Sequence, residues 1–535
     1  MSTTKTLAKG TFWSVLSTFF VKFMGWFYLI IVTRFFAPDE IGLFLYVSGA
    51  LSLVLLFSDL GLGSGAISRY IPFYIGRGEY NHARKVFKTS VLIGTSASLV
   101  CSFVIIIFSH DLAALLRQPD SSIPVFQILA FFILAYNFYI ISVDFLGARK
   151  LMKKSSLIST IQGASKLILT VILLFAMGAT AQALALSFIA SFLIASAIGM
   201  YWSYGEYRKL QVSEESVNTH KMLAEMIPYG VVITILAALS SLNAQFDRLM
   251  LGLLLPQDES LKQVAIYGMS LAFSTFITLF VTSINGIFFP VITEFLGRND
   301  HEGITKASST FFRWIALSTP LVMLMILVFP VDIITIVYGT GYTDGAMPLV
   351  YYSIGLFIYS FMTPIVSILI AQKKQMAIVK ITVVNTLLNV VLNLALIPRY
   401  GMTGAAAATM VSLIVSTALF MRLRKTTYVK IPRSIYKPLL AGALTLIIFW
   451  IIKPYIWNLR AISVAPGSVI NDILRKSVKT AELGVIGALT GAVYLILLII
   501  LRALETEDVE VLSGGMKRMG LPGGLIKKME NVLLR

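Results

Sequence analysis

Apolar stretches of about 18 residues or more alternate with short polar segments along almost the whole chain. A stretch of that length is typical of a membrane-spanning helix, because hydrocarbon offers no water to the polar groups of the backbone. We predict fourteen spans, near residues 11–33, 41–65, 88–108, 123–147, 157–177, 180–202, 223–253, 263–290, 308–330, 346–371, 377–397, 402–421, 436–455 and 481–501. The pattern therefore predicts an all-α polytopic membrane protein.

The charged residues agree with this pattern and orient it. They make up 13% of the 535 residues, whereas a soluble chain carries about 25%. If the N-terminus is cytoplasmic, the inside segments hold 32 of the 44 Lys and Arg residues and the outside segments hold 9. Because cytoplasmic loops are enriched in Lys and Arg, we predict a multi-pass protein of the cell membrane with both termini in the cytoplasm. The net charge of +18 then reflects topology, and we expect no nucleic-acid partner.

The chain also repeats itself after six spans. The segment from Arg34 to Arg77 resembles the segment from Arg248 to Arg298, because in each an Arg at the outer end of a span precedes a Pro-acidic loop, a Tyr-bearing span and a Gly-Arg turn. A second echo links the sequences GATAQALALS and GMTGAAAATMVS. Six spans return the chain to the same side of the membrane, so the two copies are parallel.

The repeat predicts how the domains are arranged. Transporters place the substrate site between parallel repeats, so we expect two six-helix lobes around a central cavity. The predicted boundaries are 1–210 for the N-lobe, 211–430 for the C-lobe, 431–502 for the last two helices and 503–535 for a basic cytoplasmic tail.

Two stretches of the chain resemble a known family. RFFAPDEIGLFLYVSGALSLVLLFSDLGLGSGAISRYIP (34–72) and NVVLNLALIPRYGMTGAAAATMVS (389–412) are similar to signatures of prokaryotic polysaccharide and lipid-linked oligosaccharide flippases. These flippases belong to the multidrug/oligosaccharidyl-lipid/polysaccharide exporter superfamily, with the lipid II flippases. The resemblance covers about residues 10–425. It implies the two-lobe fold and the transport of an oligosaccharide on a polyprenyl or dolichyl phosphate or diphosphate.

Three functions remain open from the sequence. The first is a flippase that moves the lipid-linked sugar to the outer leaflet by alternating access, for polysaccharide or glycoprotein assembly. The second is a sodium- or proton-coupled exporter of drugs or metabolites, and the third is a membrane scaffold for glycosyltransferases. Cations at mid-depth in the N-lobe favour the first, because a cationic drug would need acidic groups there. We expect the lipid-linked sugar and membrane lipids as partners, with glycosyltransferases or a polymerase as further candidates.

Two lysines lie in the middle of predicted spans. Lys22 is in the first span and Lys166 in the fifth, and each costs about 2.5–3.5 kcal/mol at the bilayer centre. One interpretation is that both line a wet cavity and attract the phosphate of the substrate, since a lysine binds phosphate in many orientations. The other is an internal ion pair or a lysine bonded to backbone carbonyls. No acidic residue lies mid-span in the first, third, fifth or sixth span, which favours the cavity.

A second candidate for substrate binding flanks the glycine-rich end of the second span. Asp59 and Arg69 lie on either side of three glycines in the sequence SDLGLGSGAISRY. Arg69 is interpreted either as a gate or headgroup contact on the cytoplasmic side, or as an ordinary arginine of a cytoplasmic loop.

Four polar residues suggest a cation site in the predicted C-lobe. Asn389 and Asn393 are four residues apart and share one face of a helix, and carboxylate, amide and hydroxyl oxygens suit a hard cation. Lipid II flippases are similar here, and the resemblance implies sodium binding by Asp247, Asn389, Asn393 and Thr409. Asn393 departs from that pattern, because a second carboxylate can occupy its position. Two alternatives are that the asparagines only cross-link helices and that Asp247 carries a proton instead.

No motif indicates an enzyme. The chain has no phosphate-binding loop of the GxxxxGK[ST] type, its four histidines lack metal-ligand spacing, and Cys101 is the one cysteine. We expect no cofactor and no metal other than sodium. Either a sodium ion or a proton would be the coupling ion. The basic tail either lies on anionic lipid as a short amphipathic helix or is solvated.

Overall fold

The computed structural model describes residues 3–59, 64–211, 217–459, 469–505, 508–509 and 524. Most of these residues lie in α-helices joined by short turns. The helices are α1 (Thr3–Phe35), α2 (Pro38–Asp59), α3 (Ser64–Gly76), α4 (Tyr80–Ile107), α5 (Ser109–Leu115), α6 (Ile123–Ala148), α7 (Met152–Met177), α8 (Ala181–Arg208), α9 (Thr219–Leu254), α10 (Gln257–Ser274), α11 (Phe276–Gly297), α12 (His301–Val328), α13 (Pro330–Val337), α14 (Ala346–Ser360), α15 (Thr363–Ala371), α16 (Gln375–Arg422), α17 (Tyr436–Leu459) and α18 (Val469–Ile500). Each predicted span overlaps one or two of these helices.

Nine helical segments within the described ranges are long and apolar enough to cross a membrane. A tenth span results if α14 and α15, which are bent by 46° at their junction, are counted as one. Pro364 in the first turn of α15 accounts for this break, because a proline ring clashes with the preceding turn and has no N–H to donate. The chain is a multi-pass membrane protein whose described part is all-helical, and the count of fourteen crossings stays a prediction.

Helix α16 contains two predicted spans, 377–397 and 402–421. Its 48 residues would rise about 72 Å, more than twice the hydrocarbon thickness of about 30 Å. Gly401 interrupts the helix with φ 54° and ψ −136°, a left-handed conformation that glycine adopts without a steric penalty. The interruption divides α16 into two halves of span length, as the hydrophobic pattern requires.

The chain divides into two compact units. Unit 1 comprises Met1–Met269 and Val390–Ala405, and unit 2 comprises Ser270–Asn389 and Ala406–Arg535. The lobes inferred from the repeat meet at residues 210 and 211, so the units and the lobes are different divisions of the chain. The lobe boundaries stay a prediction.

Small residues bring the helices of unit 1 close together. Helix α6 packs against α8, and α7 packs against both α8 and α1. At Gly199 of α8, an added Cβ would lie 2.7 Å from the Cβ of Ser142 on α6. Small side chains permit such close approach, which supplies the packing that holds helices together in lipid. The buried face of α8 is built mainly from small residues, namely Ala181, Ala183, Ala185, Ser187, Ser191, Ala195, Ser196, Gly199 and Ser203.

Helix α12 is at the centre of unit 2. Helices α11, α14, α17 and α18 all pack against it. Its contact with α11 is aromatic, with the rings of Phe288 and Phe311 centred 4.6 Å apart. On another side, the hydroxyl of Tyr494 in α18 donates to the backbone carbonyl of Leu317 over 3.1 Å. The two helices that follow the sequence repeat are therefore packed onto α12.

Candidate functional site

Lys166 lies within the helix packing of unit 1, against aromatic rings. Its Nζ is 3.6 Å from the centroid of the Tyr28 ring on α1 and 5.4 Å from the Phe188 ring on α8. Cation–π contacts of this kind contribute about 0.5–2 kcal/mol, more as water is excluded. In the described part of the chain no carboxylate forms an ion pair with Lys166, so the interpretation as an internal ion pair gains no support. We call Lys166, Tyr28 and Phe188 the Lys166 site.

The second polar group of the Lys166 site is the hydroxyl of Tyr28. The side chain is only 5% exposed, and its hydroxyl has no hydrogen-bond partner among the described residues. A buried hydroxyl without a partner costs about 1–3 kcal/mol. The Lys166 site therefore combines a cation and a hydroxyl whose interactions with the protein are incomplete.

The contact between α1 and α7 also fixes where Lys22 lies. Ser17 donates to the carbonyl of Ser156 over 2.8 Å, and Gly163 of α7 faces Val21 of α1. Adjacent residues on a helix point about 100° apart, so Lys22 lies beside this contact rather than in it. The Lys22 side chain is exposed on α1.

The other two predicted substrate contacts lie on α2 and α3. Arg69 is exposed on α3, and its guanidinium lies 5.4 Å from the centroid of the Tyr70 ring. Tyr70 is fixed in turn, because its hydroxyl donates to the backbone carbonyl of Glu225 over 2.8 Å. Asp59 is the last residue of α2, and its side chain lies outside the described part of the chain.

Asp247 is at the centre of a buried polar group in unit 1, which we call the Asp247 group. Its Oδ1 accepts a hydrogen bond from Asn393 Nδ2 over 2.7 Å, and its Oδ2 accepts one from the Tyr267 hydroxyl over 2.6 Å. All three side chains are at most 3% exposed. Hydrogen bonds to a carboxylate are short and stronger than neutral ones, so the group holds Asp247 in one orientation.

Tyr267 belongs to this group, although it is not among the predicted site residues. The repeat carried a signal for it, because both copies place a tyrosine in the span that follows the Pro-acidic loop. Its counterpart in the first copy, Tyr46, is also fully buried, and its hydroxyl donates to the carbonyl of Leu116 over 3.3 Å.

Asn389 and Thr409 form a separate pair in unit 2. Asn389 Nδ2 donates to Thr409 Oγ1 over 2.9 Å, and both side chains are buried. The four residues of the predicted cation site thus occur as two hydrogen-bonded sets, Asp247 with Asn393 and Asn389 with Thr409. The first set links α9 to α16 and the second links the two halves of α16, which fits the alternative that the asparagines cross-link helical segments. The binding of one cation by all four residues stays a prediction.

Unit 2 also holds an ionic network around the buried Arg313 that the sequence pattern does not indicate. Arg313 of α12 is paired with Glu505 and, over 3.1 Å, with Asp508. Asp508 also accepts the indole N–H of Trp314 over 2.9 Å and the backbone N–H of Glu505 over 2.9 Å. We call these four residues the tail clamp.

The tail clamp concerns only the beginning of the tail, and the lipid-bound and solvated interpretations of the rest both stay predictions. Ala503, Asp508 and Val509 are at most 4% exposed, so the beginning of the tail is packed in the protein. The basic residues Lys517, Arg518, Lys527 and Lys528, on which the lipid interpretation depended, lie outside the described residues.

The chain matches two family models. The model described as polysaccharide biosynthesis protein matches residues 7–296, and the model described as MatE matches residues 233–395. The first match covers more than half of the chain, and the second includes Asp247, Tyr267, Asn389 and Asn393.

Two archaeal proteins are similar to this chain in sequence. The probable low-salt glycan biosynthesis flippase Agl15 of Haloferax volcanii is 24% identical over 411 residues, which are 75% of this chain and 79% of that protein. An uncharacterized membrane protein of Methanocaldococcus jannaschii is 22% identical over 424 residues, which are 76% of this chain and 82% of that protein.

Solved structures share the fold. The lipid II flippase MurJ in an inward closed conformation superposes with a TM-score of 0.69 at 16% identity, over 91% of this chain and 98% of that chain. An inward-facing multidrug resistance transporter of the MATE family superposes with a TM-score of 0.62 at 12% identity, over 76% of this chain and 94% of that chain.

Proposed function

The chain belongs to the polysaccharide biosynthesis protein family, and on that premise we propose that it is a flippase for a lipid-linked oligosaccharide. The substrate is carried on a polyprenyl or dolichyl phosphate or diphosphate. It moves from the cytoplasmic to the outer leaflet by alternating access, through fourteen spans arranged as two parallel six-helix lobes and two further helices, with both termini in the cytoplasm. The similarity to a probable glycan biosynthesis flippase supports this substrate class.

The observation that carries the proposal is the environment of Lys166. A lysine at the bilayer centre costs about 2.5–3.5 kcal/mol, and cation–π contacts with the Tyr28 and Phe188 rings return about 2 kcal/mol of this. The rings hold the ammonium in place without neutralising its charge. A phosphate that approaches this site would find a positioned cation, and the Tyr28 hydroxyl offers it a further donor.

Lys22 and Arg69 extend this positive character to other parts of unit 1. Lys22 precedes Tyr28 by six residues, which is about 9 Å along α1, and its side chain is exposed. We assign to Lys22 a contact with the same phosphate or diphosphate, and to Arg69, with Asp59, a contact with the headgroup at the cytoplasmic end. Compact, flexible ammonium groups suit a substrate that must also be released.

The Asp247 group is our candidate for coupling transport to an ion. Each oxygen of the carboxylate accepts a hydrogen bond, Oδ1 from Asn393 and Oδ2 from Tyr267, so the carboxylate is held in one orientation. Carboxylate, amide and hydroxyl oxygens suit a hard cation such as sodium, and a carboxylate can instead take up a proton. The match to the MatE model covers this region, and coupling to either ion is consistent with the donor set.

Flipping in proteoliposomes tests the proposed function. A labelled polyprenyl diphosphate oligosaccharide in both leaflets is exposed to an impermeant reagent, and the protected fraction is followed with time. The variant Lys22→Ala/Lys166→Ala should lower the rate by about tenfold or more, a loss of about 1.4 kcal/mol or more in transition-state stabilisation. Its melting temperature should not fall.

Lys88→Ala is the matched control, because Lys88 is exposed at the beginning of the third predicted span and lies outside the Lys166 site. This variant should flip at the wild-type rate. A double lysine variant that flips the substrate normally would refute the assignment of the cations, and a wild-type protein that flips none of a panel of lipid-linked sugars would refute the function.

A further inference from the structure

An apolar groove of about 310 Å³ lies between α11 and α12 in unit 2. Its floor is the aromatic contact between Phe288 and Phe311, which are 6% and 1% exposed. Val291 and Ala307 line its sides. Small-molecule sites begin at about 300 Å³, so the groove has room for part of one slender apolar molecule.

The groove runs along the helices rather than across them. On α12 its lining extends from Gly303 to Trp314, a rise of about 16 Å. One leaflet of a bilayer contributes about 15 Å of hydrocarbon. The length of the groove therefore corresponds to a chain that occupies a single leaflet, such as an acyl chain, whereas a polyprenyl chain is much longer.

The two ends of the groove differ in polarity. Lys306 is exposed at one end and lies two residues before the predicted span 308–330, at the level of lipid headgroups. Trp314 lies at the other end, inside that span. A cation at the headgroup level above an apolar channel complements an amphiphile with a negatively charged head.

We propose that this groove binds an anionic phospholipid, with one acyl chain along α11 and α12 and the phosphate at Lys306. The proposal is independent of the flippase function, since it concerns a lipid of the surrounding bilayer rather than the substrate. Trp314 connects the lipid to the tail clamp, because its indole N–H donates to Asp508. A bound acyl chain would therefore rest against a wall that the beginning of the tail holds in place.

Binding is measured on the purified full chain, delipidated in detergent. Phosphatidylglycerol or phosphatidylcholine with the same acyl chains is added, and bound lipid is counted by native mass spectrometry while the melting temperature is recorded. Wild-type protein should retain phosphatidylglycerol in preference and melt at a higher temperature with it. Lys306→Gln should weaken phosphatidylglycerol binding by about fivefold and abolish the preference.

Filling the groove tests the position of the chain. Ala307→Trp should remove the binding of both lipids at this site, and the smaller Ala307→Leu should do the same in part if the tryptophan variant does not fold. The matched controls are Val104→Trp, which places the same bulk at an exposed apolar position of α4, and Lys88→Gln. Both controls should bind phosphatidylglycerol like the wild type.

Three results would overturn the proposal. One is equal binding of the two lipids by the wild-type protein, and another is unchanged binding by Lys306→Gln and Ala307→Leu. The third is Ala307-dependent binding of undecaprenyl phosphate without any of phosphatidylglycerol, which would assign the groove to the carrier lipid. Failure of flipping alone would affect only the proposed function.

Discussion

Each unit of the molecule contains a basic side chain within its helix packing, and the two have opposite surroundings. Arg313 in unit 2 is 5% exposed and meets two carboxylates, those of Glu505 and Asp508. Lys166 in unit 1 is half-buried and meets the faces of two aromatic rings. The first charge is neutralised by the protein, and the second is only held in position.

The difference separates a structural cation from one suited to a ligand. A buried ion pair with its hydrogen bonds complete has nothing to gain from a further anion, and removal of one partner leaves an uncompensated charge. An ammonium over aromatic rings keeps its net charge and its capacity for anions. We infer that burial of a cation in lipid indicates substrate binding only where the protein has not supplied the counterion.

The largest effect on stability is expected from substitution of Arg313, the cation that the protein neutralises. Arg313→Met should lower the free energy of unfolding by about 3–5 kcal/mol, because Asp508 stays buried without its partner. The measurement is thermal unfolding of the purified protein in detergent. Arg298→Met is the matched control, since Arg298 pairs with Glu294 at the surface and such pairs contribute at most about 1 kcal/mol. Equal losses for the two variants would contradict the structural role of the tail clamp.

A charge-neutral replacement of the whole network sharpens this prediction. Arg313→Met combined with Glu505→Gln and Asp508→Asn should recover most of the lost stability, because replacing a complete buried ion network by neutral groups is often tolerated. The amide oxygen introduced by Asp508→Asn would still be able to accept the indole N–H of Trp314. A triple variant as unstable as Arg313→Met would mean that shape, rather than charge, holds the tail.

The effect expected at Asp247 is intermediate in size. Its carboxylate is oriented by two hydrogen-bond donors, Tyr267 and Asn393. Asp247→Asn should abolish any stimulation of flipping by a sodium or proton gradient, which at a coupling energy of about 1–3 kcal/mol amounts to about fivefold or more. The measurement is the flipping rate with and without each gradient. Tyr267→Phe removes one donor and keeps the charge, so it should weaken the stimulation without removing it. Gradient dependence that persists in Asp247→Asn would exclude this group as the coupling site.

Substitution of Lys166, the cation over aromatic rings, should change stability in the opposite direction to substitution of Arg313. Lys166→Met should leave the melting temperature unchanged or raise it, since it removes an intramembrane charge that costs about 2.5–3.5 kcal/mol and forfeits cation–π contacts of about 2 kcal/mol. The net gain is then about 1 kcal/mol. A fall in stability as large as that of Arg313→Met would show that Lys166 is structural and that the comparison fails.

The helices, and the charged residues within the predicted spans, could be predicted from the sequence for one physical reason. Lipid requires every backbone polar group to find an internal partner and makes each buried charge costly. Helical segments are therefore long apolar runs, and residues such as Lys166 and Asp247 stand out within them. The contact of Asp247 with Asn393 joins positions 146 residues apart, and only the resemblance to lipid II flippases pointed to it.

The tail clamp could not be predicted in this way. Arg313 and Asp508 are 195 residues apart, and in sequence Arg313 is one of many basic residues near the inner end of a span. Glu505 and Asp508 belong to an acidic stretch at the beginning of a tail (503–535) that holds five acidic and five basic residues in total. Their pairing depends on how α17 and α18 pack against α12, and hydropathy carries no information on which helix faces meet.

The smallest effect is expected at Asn389 and Thr409, which form a hydrogen bond between two neutral groups and not an ion pair. Asn389→Ala removes the hydrogen bond to Thr409, and such bonds between membrane helices contribute about 0.6 kcal/mol on average. If the pair only cross-links its helices, Thr409→Val should cost about the same, and the double variant should cost no more than either single one. If the pair also binds a cation, both variants should weaken sodium stimulation of flipping as Asp247→Asn does. Stability and stimulation measured on the same three variants therefore decide between a cross-link and a coupling site.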